Sequence, residues 1–287
     1  MAVVLITRNR VESLLHSLSR LQEESRAAEV IVVDNGSDDG TTEAVRRAHP
    51  GVRVLALDLN AGAAGRNVGV TAAGTPYVAF ADDDSWWAPG ALPRAADLLD
   101  GDSRLALIAG RILVGDEART DPTCRLMERS PLSAGRPLPG PAVLGFIACG
   151  AVVRRRAFLD AGGFHDRYGV GGEETLLALD LVSRGWDLTY VDTVVAHHHP
   201  SASRDLTSRR RREIRNDIWT AWLRRPLGSA VETTATVMRD AGISPWPPLF
   251  DAIAGLPWVL RQRHVVPTRV EADIRLLDMY RDRDQVS

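Results

Sequence analysis

The chain has 287 residues, 45% of them hydrophobic and 25% charged, with a formal net charge of −2. These are the proportions of an ordinary globular protein, long enough for one large α/β domain or two modest ones. All 35 basic residues are arginine, since the sequence holds no lysine; Schiff-base and pyridoxal chemistry, a P-loop with its lysine and a protein-kinase phosphate lysine are thereby excluded. Two cysteines, Cys124 and Cys149, are too few for a four-thiolate zinc site or a disulfide framework, and the near-neutral charge gives no pull toward nucleic acid.

Taken in chain order, the first hundred residues alternate short β-type runs with helical periodicity, the pattern of a parallel sheet with crossover helices. Residues 2–6 (AVVLI) read as a strand, and Val11, Leu14, Leu15, Leu18 and Leu21 fall at helical spacing. Further strands are expected at 29–33 (EVIVV), 52–57 (VRVLAL) and 77–80 (YVAF). Each ends in a polar or glycine-containing segment. In open parallel sheets ligands bind beyond the carboxyl ends of strands, so these segments are expected to converge on one site. Gly115 to Pro141 reads as a long loop crossing the fold, 146–153 (FIACGAVV) as strand-like, and a helix is expected from about Glu173. A strand at 187–191 leads into His197-His198-His199, residues 207–225 form a basic helix containing tryptophan, and the remainder is expected to be helical and peripheral.

The opening apolar run is too short for a signal-peptide core, and the stretch from Trp246 to Leu260 is interrupted by Pro247, Pro248, Asp251 and Pro257, so neither an export signal nor a membrane span is expected. With the sparse cysteines, this points to the cytoplasm or the inner face of its membrane.

The sharpest chemical signal is Asp82-Asp83-Asp84 directly after an apolar strand. Three adjacent carboxylates repel one another unless a cation or a hydrogen-bond network neutralises them. Oxygen-only ligands favour Mg²⁺ or Mn²⁺, with substrate phosphates completing the shell; a solvated acidic turn is the plainer alternative. Asp34 closes the second strand and is placed to accept from a ribose hydroxyl or a nucleobase N–H, while Ser37 to Gly40 form a turn and helix cap. The glycines from Gly62 to Gly69 let backbone approach a ligand, and Arg66 offers a forked donor for a diphosphate.

The series TRNR (7–10), VDNGSDDGT (33–41), NAGAAGRNVG (60–69) and FADDD (80–84), in this order and spacing, resembles the family 2 glycosyltransferases of GT-A fold. The resemblance covers roughly residues 2–225 and implies an α/β fold, a mixed and mostly parallel sheet flanked by helices, with a helical C-terminal extension. It implies a hexosyl- or deoxyhexosyltransferase that uses a nucleotide-diphosphate sugar and a divalent cation, Mn²⁺ or Mg²⁺, and usually inverts the anomeric carbon. The acceptor is left open as a small molecule, a glycan or a lipid-linked species. Three segments are expected: a nucleotide-sugar-binding half at 1–110, an acceptor-binding and catalytic half at 111–225, and the helical extension at 226–287.

Carried over by motif, Thr7, Arg8, Asp34 and Asp82 match the donor-binding positions, and Asp82 and Asp84 the metal-binding pair; Arg66, Asn67 and Asp83 are expected as further donor contacts. Glu173-Glu174 stands where relatives carry an acidic pair whose second member is the base, with Glu174 preferred over Glu173; ordinary acid enrichment in a first helical turn is the plain alternative. His198, and after it His197, matches the strand-end histidine that completes the metal site. The segment from Arg209 to Trp222 reads either as a lid over the donor, with Arg215 and Asn216 as contacts, or as a peripheral membrane contact spanning 207–225. Trp86 and Trp87 either stack on sugar or wall the site. Other readings are a retaining transferase of the same architecture, a sugar nucleotidyltransferase and a non-catalytic nucleotide-sugar-binding protein.

Overall fold

The computed structural model describes residues 1–24, 29–200 and 206–284. The first strand, β1 (Ala2–Thr7), is buried along its whole length, as an interior strand covered on both faces must be. Val3 and Leu5 share a core with Leu14, Leu18 and Leu21 of α1 (Val11–Glu24), while Val4 and Ile6 belong to the opposite layer with Val70, Phe158 and Phe164. The period of two in the strand thus meets the period near four in the helix.

The chain continues through β2 (Glu29–Asp34), α2 (Thr41–Ala48), β3 (Arg53–Ala56), α3 (Gly65–Ala72), β4 (Tyr77–Asp82), β5 (Ser85–Trp87) and α4 (Ala91–Gly101). Then come β6 (Leu105–Val114), β7 (Arg119–Thr120), α5 (Pro122–Glu128), β8 (Ala151–Arg154), α6 (Arg155–Ala161), α7 (Glu173–Ser183) and β9 (Asp187–His198). The sheet order is β3-β2-β1-β4-β8-β6-β9-β5, with β7 hairpinned onto β6. Strands β3, β2, β1 and β4 are mutually parallel; β8 runs against β4 and β6, and β9 runs parallel to β6.

Two expectations need correction. Residues 146–153 do not form one strand: pairing begins only at Ala151, and residues 148–150 make a 3₁₀ turn that frees the Ala148 N–H to meet Glu174. The stretch from Gly115 to Pro141 is not featureless, since it carries β7 and α5, and Arg136 ties it to Asp187 and Asp102. The strand expected at 187–191 is confirmed and runs on through the first two histidines.

Four helices follow: α8 (Leu206–Arg224), α9 (Leu227–Arg239), α10 (Trp246–Gln262) and α11 (Thr268–Asp284). The last three, expected to be peripheral, pack onto the rest of the chain. Ile214, Ile218, Trp219 and Leu223 of α8 form a core with Tyr168, Leu176, Ala252 and Val259. Arg224 holds Asp180 through two hydrogen bonds of 2.6 and 2.9 Å, and Arg225 pairs with Glu271 and Asp278 of α11. Among the described residues no helix is long and apolar enough to cross a membrane.

Candidate active site

The parallel register aligns Thr7 with Asp34 and Ile6 with Asp82, so the carboxyl ends of β1, β2 and β4 open onto one edge. The three aspartates after β4 have different surroundings. Asp82 accepts from Nη2 of Arg66. Asp83 turns inward: Thr7 Oγ1 donates to it at 3.1 Å and Arg10 Nε lies 3.2 Å away, while Ser13 and Ser17 donate to its backbone carbonyl. Burial pushes its carboxyl up to about 7; Arg10 pulls the other way, and Asp84 and Asp82 add to the rise. Asp84 meets Arg10 Nη2 at 3.4 Å and His198 Nε2 at 3.3 Å.

Strand alternation sorts the histidines. Antiparallel pairing sets Ser85 opposite His198 and Trp86 opposite His197, so His198 reaches Asp84 while His197 and His199 stack on Trp86, with centroids 5.5 and 4.7 Å apart. His197, expected as an alternative ligand, therefore lies on the wrong face of the strand to join Asp84. Neither tryptophan reaches the acids: Trp86 serves this rear stack, and Trp87 is fully buried with its indole N–H donating to Phe80 O.

From the other half of the chain, α7 begins at Glu173-Glu174 after a turn of glycines. Glu173 is buried and accepts from the Gly171 N–H; desolvation, reinforced by Glu174, raises it to about 8. Glu174 is only half-buried, and desolvation raises it too, against the Ala148 N–H and Arg66, which favour its charge. Arg66 links the two halves. It is 2% exposed, and although burial opposes its charge, Asp82, Glu173 and Glu174 outweigh that penalty. Its Nε and Nη1 lie buried without a hydrogen-bond partner.

Several expected contacts take other roles. Arg8 is solvent-exposed; β1 ends at Thr7 and Asn9 adopts φ 52°, so the chain turns and Arg10, not Arg8, covers the aspartates. Asp34 is committed to its own loop, accepting from Ser37 N, Ser37 Oγ and Thr42 Oγ1. Asn67 spends its amide on the backbone of Phe164, at 2.7 and 2.9 Å, and so pins the loop before Glu173 rather than facing a donor. Asn216 donates to Tyr168 O and Gly171 O, and Arg215 donates to Tyr168 O; both brace the glycine turn. The aromatic face of 207–225 points into the core, so that helix offers no apolar surface to a membrane. Sequence reasoning missed Arg10 and the Ala148 N–H; Arg209, expected in the lid segment, pairs first with Glu213 and is further supported by the Glu pair. Arg10 stood within the quoted TRNR, and only the turn geometry separates it from Arg8.

Besides the strand pairing between them, the two halves meet backbone to backbone at the loops before α3 and α7. The Ala63 N–H donates to Gly169 O at 3.0 Å, and a Cβ on Gly62, at φ 58°, would lie 2.8 Å from Gly169 Cα.

Five carboxylates thus gather around two contacting guanidiniums, Arg10 and Arg66. That imbalance, with oxygen donors and one imidazole, fits a hard divalent cation. Among the described residues no three His, Cys, Asp or Glu side chains form a ready-made metal cage, as expected where substrate phosphates supply much of the shell.

A curled, mainly parallel sheet with an acidic cluster at its carboxyl edge and an acidic pair on a facing helix defines a GT-A type glycosyltransferase. The chain belongs to glycosyl transferase family 2, whose sequence model matches residues 2–162. It is 30% identical over 228 residues to the N-acetylglucosaminyl-diphospho-decaprenol L-rhamnosyltransferase of Mycobacterium tuberculosis, covering 67% of this chain and 73% of the relative. It is 32% identical over 220 residues to the pre-mycofactocin glycosyltransferase of the same organism, covering 72% of this chain but 44% of that one. Solved structures share the fold: the Pyrobaculum calidifontis mannosyltransferase PcManGT, in complex with GDP-Man and Mn²⁺, at a TM-score of 0.61 and 18% identity, covers 97% of this chain and 85% of its own. TarS of S. aureus with UDP-GlcNAc, at 0.63 and 17%, covers 83% and 71%.

Proposed function

We propose that the chain is an inverting, metal-dependent glycosyltransferase that moves a sugar from a nucleoside-diphosphate sugar to an acceptor hydroxyl. The carrying observation is the convergence of Asp82, Asp83, Asp84, Glu173 and Glu174 around Arg66 and Arg10. In this reading Asp84 and His198 hold the cation, with Asp82 beside them. When bound, the cation offsets the charge that builds on the departing diphosphate.

Glu174 takes the proton of the acceptor hydroxyl as it attacks the anomeric carbon. A hydroxyl is a poor nucleophile without such a base, and a carboxylate raised by its surroundings is a better proton acceptor near neutrality. Glu173, tied to Gly171 N, holds the turn and keeps Glu174 at the cleft. Arg66 keeps Asp82 and Glu174 in register from behind. Residues 1–110 supply the donor side, 111–225 the acceptor side and base, and 226–287 an extension that braces the acceptor side. The relative named for transfer onto a diphospho-decaprenol saccharide supports a deoxyhexose donor and a lipid-linked acceptor.

The first test is thermal stabilisation by nucleoside diphosphates and nucleotide sugars with and without Mn²⁺. Ligand at a hundred times its Kd raises the melting temperature by about 5 °C or more, and here only with the cation. The anomeric configuration of the product, read by NMR, is expected to be inverted, and retention would overturn the base role of Glu174. Asp84→Asn is expected to abolish metal-dependent turnover.

A further inference from the structure

Helix α10 buries one face and leaves an apolar stripe on the other. Pro248, Ala252, Gly255 and Val259 are buried, and Gly255 lies so close to Trp219 that a Cβ would stand 2.5 Å from its ring. On the opposite side Trp246, Phe250, Ile253 and Leu260 are 61%, 64%, 50% and 54% exposed. Their spacing of four, three and seven residues keeps them on one helical face, with exposed Pro257 completing the row, over about 21 Å of helix at 1.5 Å per residue. Val265, just beyond the helix, is 48% exposed as well. Large apolar side chains in an unbroken row, unlike singly scattered ones, mark an interaction surface.

The charges of this segment are mainly cationic. Residues 241–270 contain a single acid, Asp251, and Arg211 occupies it through hydrogen bonds of 2.6 and 2.8 Å. Arg261, near the C-terminal end of α10, and Arg269, in the first turn of α11, stand exposed, the latter interacting with Asp273. A local cationic excess in a chain of net charge −2 complements an anionic partner. We infer that α10 docks on a bilayer surface carrying anionic lipids, its apolar stripe in the headgroup boundary and the arginines among the phosphates. The area argues against a second copy of the chain: four partly exposed side chains offer roughly half of the ~800 Å² per partner that a stable dimer buries.

Docking there bears on the acidic pair. Trp258 packs against His165 at a tilt of 33° with centroids 4.8 Å apart and lies under Arg167, and Gln262 bonds His165 Nε2 at 3.0 Å. Residues 165–168 lead straight into the glycine turn that ends at Glu173. A membrane-held α10 therefore brings the acceptor side of the cleft to the lipid surface.

The test is co-sedimentation of the full chain with vesicles of phosphatidylcholine alone and of an equimolar mixture with phosphatidylglycerol. It needs neither donor nor acceptor, so its outcome is independent of the transfer reaction. Binding is expected to the mixed vesicles and to be weaker on phosphatidylcholine. Phe250→Glu with Ile253→Glu should lower partitioning at least about tenfold, the loss expected when two half-exposed apolar side chains no longer enter the boundary. Arg261→Glu with Arg269→Glu should remove the preference for the mixed vesicles. Leu227→Glu with Val231→Glu, at exposed sites of α9, should change nothing. Absence of binding to either vesicle, binding insensitive to the Phe250 and Ile253 changes, or a dimer in light scattering that those changes dissociate would overturn the inference.

Discussion

Glu173 and Glu174 are neighbours in sequence and differ in setting, which makes their separate replacement by glutamine the most informative perturbation. Glu174 is partly buried, and its carboxylate meets the Ala148 N–H and Arg66. Glu173 is 2% exposed and holds Gly171 N, a bond that a glutamine oxygen can still accept. General-base catalysis contributes about 10²–10⁴ in rate, or about 2.7–5.5 kcal/mol of barrier. Glu174→Gln should lose turnover in that range while nucleoside diphosphate still raises the melting temperature as in wild type. Glu173→Gln should keep turnover within roughly tenfold. Because Glu173 already holds its proton below about 8, the ascending limb of the pH–rate profile should stay where the wild type has it. The assay is release of nucleoside diphosphate at saturating donor, with thermal shift as the binding control. Equal losses in both variants, or a Glu174→Gln enzyme that retains a tenth of wild-type turnover, would refute the assignment.

The remaining expectations are quickly checked. His198→Ala should raise the cation concentration needed for half-maximal activity, whereas His197→Ala, on the Trp86 face, should leave it unchanged; titration with Mn²⁺ separates them. A carboxyl raised to about 8 in the folded state keeps a proton that the unfolded chain releases near its ordinary value. Stability in chelator should therefore fall as pH climbs from about 4.5 toward 8, and the melting temperature of Glu173→Gln should fall less. Truncation after Arg225 removes Glu271 and Asp278 and strands a buried guanidinium, a loss of about 3–5 kcal/mol, so the shortened chain should melt far lower or fail to accumulate folded. An unchanged melting temperature would show that α9–α11 contribute nothing to the core.

Much of the fold was legible because period-two runs such as AVVLI and EVIVV are buried on both faces, and helical spacing such as Leu14-Leu18-Leu21 survives folding unchanged. The end of FIACGAVV was not, because a strand-like composition says nothing of the turn at 148–150 that meets Glu174. Within the site, sequence located the acids but not their orientation. Arg8 and Arg10 differ only by a turn at Asn9, and His197 and His198 only by strand parity relative to Trp86 and Ser85. Asn67 read as a ligand contact because its backbone partner lies 97 residues away at Phe164, a separation no local pattern encodes. The stripe on α10 was not legible because Pro247, Pro248, Asp251 and Pro257 read as interruptions of a span, which says nothing of the helix face that folding leaves uncovered.

The contact of Gly62 with Gly169 gives the two halves a common datum. With no side chain between them to act as a spacer or shim, the loop before α3, which carries Arg66, and the turn before α7, which carries the acidic pair, are gauged against each other directly. Leaving group and nucleophile must be aligned to a fraction of an ångström, and this direct main-chain contact adds to the side-chain braces of Arg66 and Asn67. A methyl group on Gly62 would act as a wedge against Gly169, detuning donor and base together without altering a single reactive atom.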